Sequence, residues 1–240
     1  MFIHYESEIP PPTIDSWSLK LKILLFLILL RTFKVYYWIT RQVFFLLYPQ
    51  EEHFMADKAG TELGLLIGTI PIFFFFWLNR EFLRQYFLTY KFSPRYIILI
   101  VFGSIFILIA ALSYSIENIN TVIIFPIEQW PERLFFPLYL GFIEELEFRS
   151  IFLVQTYLLL LKRGSSSIQA QFQSFLIISL FFGLIYHFKY FLVGNFILYT
   201  LVFLLGFLNT YITLKTRSII PAIFFHLLFN FYFAVFNISL

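Results

Sequence analysis

Two adjacent carboxylates, Glu144 and Glu145, sit inside an apolar stretch: Gly141-Phe142-Ile143-Glu144-Glu145-Leu146-Glu147-Phe148-Arg149-Ser150-Ile151-Phe152-Leu153. An ionised side chain at bilayer depth costs roughly 2.5–3.5 kcal/mol on insertion scales, so charges kept there have a use by default. On a helix Glu145 and Arg149 stand at i and i+4 and share a face, so the guanidinium keeps Glu145 ionised and in place. Glu144 lies about 100° around the helix. It is less easily neutralised by Arg149 and is the carboxylate left to accept a proton, as a general base does. The plain alternative is a Glu–Arg pair that only ties helices together. Glu147 faces away from this pair, toward another helix or the membrane interface.

Three more polar residues lie in later apolar stretches. His187 ends Phe181-Phe182-Gly183-Leu184-Ile185-Tyr186-His187, and alone it reads as a hydrogen-bonded helix-interface residue. His226 and Asn230 stand at i and i+4 in Ile220-Pro221-Ala222-Ile223-Phe224-Phe225-His226-Leu227-Leu228-Phe229-Asn230. An imidazole beside a carboxamide offers two donors to one oxygen, which is what an oxyanion hole needs. The alternative is helix–helix hydrogen bonding, worth about 0.6 kcal/mol on average inside membranes. Asn195 and Asn209 have no role legible from sequence. Glu117, Glu128 and Glu132 fall in an expected outside loop.

The elements that must position these residues are membrane helices. The 240 residues are 60% hydrophobic and only 13% charged, against about 25% charged in soluble domains. The expected fold is therefore all-α, a polytopic membrane bundle. Apolar length marks about seven transmembrane helices, eight at the upper bound: roughly 20–48, 61–79, 95–115, 133–161, 173–192, 195–215 and 218–238. Arg31 and Lys34 interrupt the first, so it reads as a shorter span joined to an interfacial helix. Residues 1–130 form the N-terminal membrane helices and 131–240 the core that carries the polar residues. No cleavable signal peptide is evident, so the first apolar segment is expected to be retained.

Lysine and arginine alternate between rich and poor loops. The rich ones hold Lys20 and Lys22; Arg80, Arg84, Lys91 and Arg95; Lys162 and Arg163; and Lys215 and Arg217. That pattern places the N-terminus in the cytoplasm and the C-terminus outside. Trp38, Trp130 and Tyr139 are candidate interface anchors. A net charge of +3, scattered along the chain, excludes a nucleic-acid partner. The absence of cysteine removes disulfides, thiolate nucleophiles and cysteine metal sites.

The order Glu-Glu-x-x-x-Arg, His, His-x-x-x-Asn over three apolar helices resembles the CAAX-processing and bacteriocin-processing family of intramembrane endopeptidases. Glu144–Arg149 and His226–Asn230 match that family's first and third signatures in full. The second, Phe-x-x-x-His, departs: Gly183 stands four residues before His187, and Phe182 five before. The resemblance covers about residues 130–235. It implies a conical polar cavity among the helices and hydrolysis of a peptide bond near the C-terminus of a membrane-associated protein or peptide. It also implies that Glu144 activates water with His187 assisting, that His226 and Asn230 stabilise the oxyanion, and that Glu145 and Arg149 shape the site. Glu144, His187 and His226 equally match a three-ligand zinc site with an open fourth position, so metal-free and zinc-dependent readings both stand. Partners are then the lipid bilayer and the membrane-associated substrate, in what small size and lack of added domains suggest is a bacterial cytoplasmic membrane. A catalytically silent scaffold or bacteriocin-immunity protein of the same fold is the main alternative. A transporter using the carboxylates as a proton relay is another, although no internal repeat supports it.

Overall fold

In the computed structural model, residues 18–32, 34–47, 53–78, 98, 101–103, 105, 109, 130–192, 196–216 and 218–235 are described. Among them every regular element is helical. In a bilayer only helices and closed barrels satisfy all their backbone groups internally, so an apolar chain with helix-length runs takes this form. The chain falls into two compact units, Pro12–Phe82 and a second containing Leu83–Leu240.

The first unit holds α1 (Leu19–Thr32), α2 (Val35–Leu47) and α3 (His53–Leu78). The break expected near Arg31 and Lys34 is real. Leu19–Thr32 and Val35–Val43 are bent by 69°, and Lys34 takes a left-handed φ of 58°. Packing of α2 on α3 follows a stripe of Gly60, Gly64 and Gly68 on α3. A Cβ on Gly64 would lie 2.5 Å from Thr40 Oγ1 and 2.7 Å from the Tyr37 backbone, so the two helix backbones approach as only small residues allow. There the Thr40 hydroxyl donates across the interface to the Gly60 carbonyl at 2.6 Å.

The second unit carries the polar residues. α4 (Trp130–Glu145) runs into a π-helical segment, Leu146–Phe152, and on into α5 (Leu153–Lys162). A Schellman-type end follows: Ser165 N–H reaches the Leu160 carbonyl and Gly164 N–H the Leu161 carbonyl, with Gly164 at φ 88°. Ser166 then caps α6 (Ser167–Leu180) in a reciprocal box with Gln169. α6 passes into a second π segment, Phe181–Tyr186, which ends at His187. The short α7 (Phe188–Leu192), α8 (Phe196–Thr216) and α9 (Ile220–Val235) complete it. Ser218 starts α9 by accepting the Ile220 N–H at 3.2 Å, and Pro221 sits in the first turn, where its missing N–H costs nothing.

Among the described residues two helices are long and apolar enough to cross a membrane, Ser167–Tyr186 and Phe196–Thr216, or three if the bent α1–α2 pair is one span. Seven or eight were expected. Glu62–Leu78 and Ile220–Tyr232 are apolar but shorter than the ~20 residues a straight crossing needs. Trp130–Lys162 is long enough but carries the charged cluster, and the expected span at 95–115 falls largely outside the described residues, as does Asn195. Phe172, Ile177, Leu180 and Phe224 are exposed on the helices, an apolar surface suited to lipid.

Gly64→Leu is expected to destabilise the first unit by about 1–3 kcal/mol, the usual cost of overpacking. Thermal unfolding of the purified chain in detergent measures it, and an unchanged midpoint would refute the close α2–α3 contact.

Candidate active site

The site is organised by Glu145, which is fully buried. Its Oε2 lies 3.2 Å from Arg149 Nε, the i,i+4 ion pair expected from the spacing. Its Oε1 meets His226 Nδ1 at 2.8 Å and accepts from Asn209 Nδ2 at 2.9 Å. One carboxylate thus joins α4, the first π segment, α8 and α9. Because a carboxylate oxygen only accepts, His226 carries its hydrogen on Nδ1, which leaves Nε2 as the atom presented to the site.

Arg149, also fully buried, completes its surroundings with the Gly206 carbonyl, 3.3 Å from Nη2. Its guanidinium lies over the Phe182 ring, 4.8 Å from the centroid. Stacking on an aromatic face is a contact that a guanidinium makes well because it is planar and weakly hydrated.

Glu144 points elsewhere, as its offset around the helix requires. Its Oε2 is 3.5 Å from His226 Nε2 and 3.7 Å from His187 Nε2. Its Oε1 accepts a hydrogen bond from the Tyr186 hydroxyl at 2.9 Å. Residues 144, 187 and 226 of three separate helical segments therefore meet in one largely buried place. Gaps of 3.5–3.7 Å are longer than direct hydrogen bonds.

The two π segments explain the motif that departs from pattern. His187 N–H bonds the Phe182 carbonyl at 3.2 Å, an i→i+5 bond, so one extra residue is inserted in the turn. Phe182, five residues before His187, is thereby brought back against it, with ring centroids 4.6 Å apart. The glycine at 183 is a packing requirement. A Cβ there would collide with the Phe203 ring, and one on Gly206 would lie 2.6 Å from Phe182. Each phenylalanine covers the other helix's glycine, which locks the second π segment onto α8. Phe148 of the first π segment meets Phe182 at 4.9 Å and Tyr186 at 5.1 Å. Such aromatic pairs are worth about 0.5–1.5 kcal/mol each beyond buried area.

Asn230 is near the others but already engaged: its Nδ2 donates to the Pro137 carbonyl at 2.7 Å. A carboxamide nitrogen has two hydrogens, so one N–H remains for another acceptor. Gly141 makes this approach possible, since a Cβ there would lie 2.8 Å from Asn230 Nδ2 and 3.2 Å from His226 Cδ2. Glu147 is fully buried.

Sequence reasoning left Asn209 unassigned, weighed Phe182 only for its spacing to His187, and passed over Tyr186, Gly206 and Pro137. Asn209 carried a signal, a carboxamide in an apolar span. Tyr186 carried none, because neighbours on a regular helix diverge by about 100°; it reaches Glu144 beside His187 only because the π segment ends there, with His187 at φ −99° and ψ 13°. As for a metal, no group of three or more His, Cys, Asp or Glu side chains among the described residues is arranged to hold one.

Residues 126–232 match the family model described as type II CAAX prenyl endopeptidase, Rce1-like. No curated protein and no solved structure matches the chain.

Glu145→Ala leaves the Arg149 charge buried without its counter-ion and is expected to cost about 3–5 kcal/mol. Glu144→Gln, which removes no ion pair with Arg149, is expected to cost far less. Parallel thermal unfolding of the two variants in detergent checks the ranking; equal losses would contradict it.

Proposed function

We propose that this chain, whose residues 126–232 match the Rce1-like endopeptidase family, is an intramembrane protease that cleaves a peptide bond near the C-terminus of a membrane-associated protein or peptide. The observation that carries the reading is the Glu144 carboxylate set against His187 and His226 from two other helical segments. The family acts on membrane-associated proteins, and the composition and membrane-length apolar helices agree with an integral membrane protein. The seven-span arrangement, with the N-terminus in the cytoplasm, the C-terminus outside and a polar cleft admitting water to Glu144, belongs to this proposal.

In the proposed reaction Glu144 Oε2 binds a water beside the two imidazoles. Glu144 takes its proton as general base, a role that contributes typically 10²–10⁴-fold. His187 Nε2 holds the same water and aims its oxygen. The substrate carbonyl lies toward His226 Nε2 and the second N–H of Asn230. There the second N–H of Asn230 donates to the oxyanion as charge develops, beside His226, which Glu145 holds at Nδ1. Glu144 then returns the proton to the departing amine. Glu145 and Arg149 touch no reacting atom. Their part is to hold His226 in one tautomer and orientation, as the carboxylate partner of a catalytic histidine does.

Two outcomes are expected. Glu144→Gln should abolish proteolysis, a fall of at least about 10²–10⁴-fold. Asn230→Ala should lower kcat by about 10²–10³-fold, the usual loss for one oxyanion donor. Mass spectrometry of new protein C-termini in membranes from cells expressing the wild type or either variant reads both. New C-termini that persist undiminished in Glu144→Gln would reject the protease reading in favour of a catalytically silent protein of the same fold.

A further inference from the structure

The two oxygens of the Glu144 carboxylate do different things. Oε1 accepts the Tyr186 hydroxyl at 2.9 Å, while Oε2 faces His187 Nε2 at 3.7 Å and His226 Nε2 at 3.5 Å. In water the two oxygens are equivalent and the side chain turns freely. Here one is tied by the Tyr186 hydroxyl.

We propose that Tyr186 is a positioning residue for the hydrolysis. Its hydroxyl anchors Glu144 Oε1, so that Oε2 alone is presented to the water and takes its proton. The proposal rests on the reading of Glu144 as the base.

The tyrosine ring is itself held. It lies 4.8 Å edge-on to His187, 5.1 Å from Phe148 and stacked 6.0 Å from Phe182. The same aromatic cluster that locks the π segments therefore fixes the anchor, and through it the base, to the imidazole that holds the water. A reacting group must be held within about 0.5 Å and 10–20° by such supports, and a misplacement of 1 Å can cost about 10²-fold. In the step, one O–H bond of water breaks, its proton passes to Oε2, and its oxygen bonds to the carbonyl carbon. The same proton leaves Oε2 for the amide nitrogen as the C–N bond breaks. The Tyr186 hydroxyl keeps its hydrogen on Oε1 throughout and is not consumed.

Tyr186→Phe keeps the ring and its packing and removes only the donor. With a peptide substrate that the wild type cleaves, kcat is expected to fall about tenfold or more, with KM changed less than about twofold and the melting temperature in detergent unchanged. Installing 4-aminophenylalanine at position 186 returns an N–H donor to the same ring position and is expected to recover most of the lost turnover. Unchanged kcat in Tyr186→Phe would overturn the proposal. So would a loss shared with KM or with the melting temperature, or one that 4-aminophenylalanine does not relieve, because each marks a packing role. Glu144→Gln, assayed alongside, separates the two levels. If it is inactive and Tyr186→Phe is unimpaired, the positioning role alone fails. If Glu144→Gln still turns over normally, the base assignment fails and this proposal with it.

Discussion

The Glu145–Arg149 pair is the constraint around which the second unit is arranged. Both groups are fully buried, and removing either partner of such a pair leaves an uncompensated buried charge. Arg149 obtains Glu145, the Gly206 carbonyl and the face of Phe182. Glu145 obtains Arg149, Asn209 and His226. These contacts tie α8 and α9 to the Glu145–Arg149 pair, and the one to Glu145 also sets the tautomer of His226. An electrostatic demand made at one turn of one helix decides where an imidazole from a distant part of the chain points.

The π segments meet a second, steric demand. Phe182 lies against both Arg149 and His187, five residues before the latter, further than the turn of a regular helix spans. An extra residue in the turn brings it there, and the interlocked Phe182–Gly206 and Phe203–Gly183 contacts hold that less common geometry in place. A π-bulge inside an α-helix is rare and found mostly at functional sites. In this chain it has a definite effect: it turns Tyr186 and His187, neighbours in sequence, onto the same carboxylate.

The resulting division of labour between adjacent glutamates is a consequence of helical geometry. Side chains about 100° apart cannot both face Arg149. Glu145 takes the guanidinium and becomes structural, whereas Glu144 is left among two imidazoles and a phenol. The first has a permanent counter-charge beside it; the second lies beside the Tyr186 hydroxyl and the two imidazoles.

Period and composition were enough to establish the helical class and the Glu145–Arg149 pairing, though not the π geometry of the turn that carries Arg149. Apolar runs of helix length in a chain this poor in charge point to helices, because in lipid the backbone bonds internally only in helices or closed barrels, and barrel strands are about half as long. Spacing i,i+4 put Glu145 on Arg149, and the offset of one residue turned Glu144 away; both are local facts of a helix. The break at Arg31 and Lys34 was legible for the same reason. The distant groups that complete the site were chosen by packing between helices. Asn209 on Glu145, Tyr186 on Glu144 and the Pro137 carbonyl on Asn230 are contacts over 42 to 93 residues, and no local rule encodes them. Gly183 looked like a lapse in a motif because the spacing was counted on an α-helix. It is explained once Phe203 is seen above it and the turn is seen to be wider, since packing against another helix selects both the glycine and the π geometry.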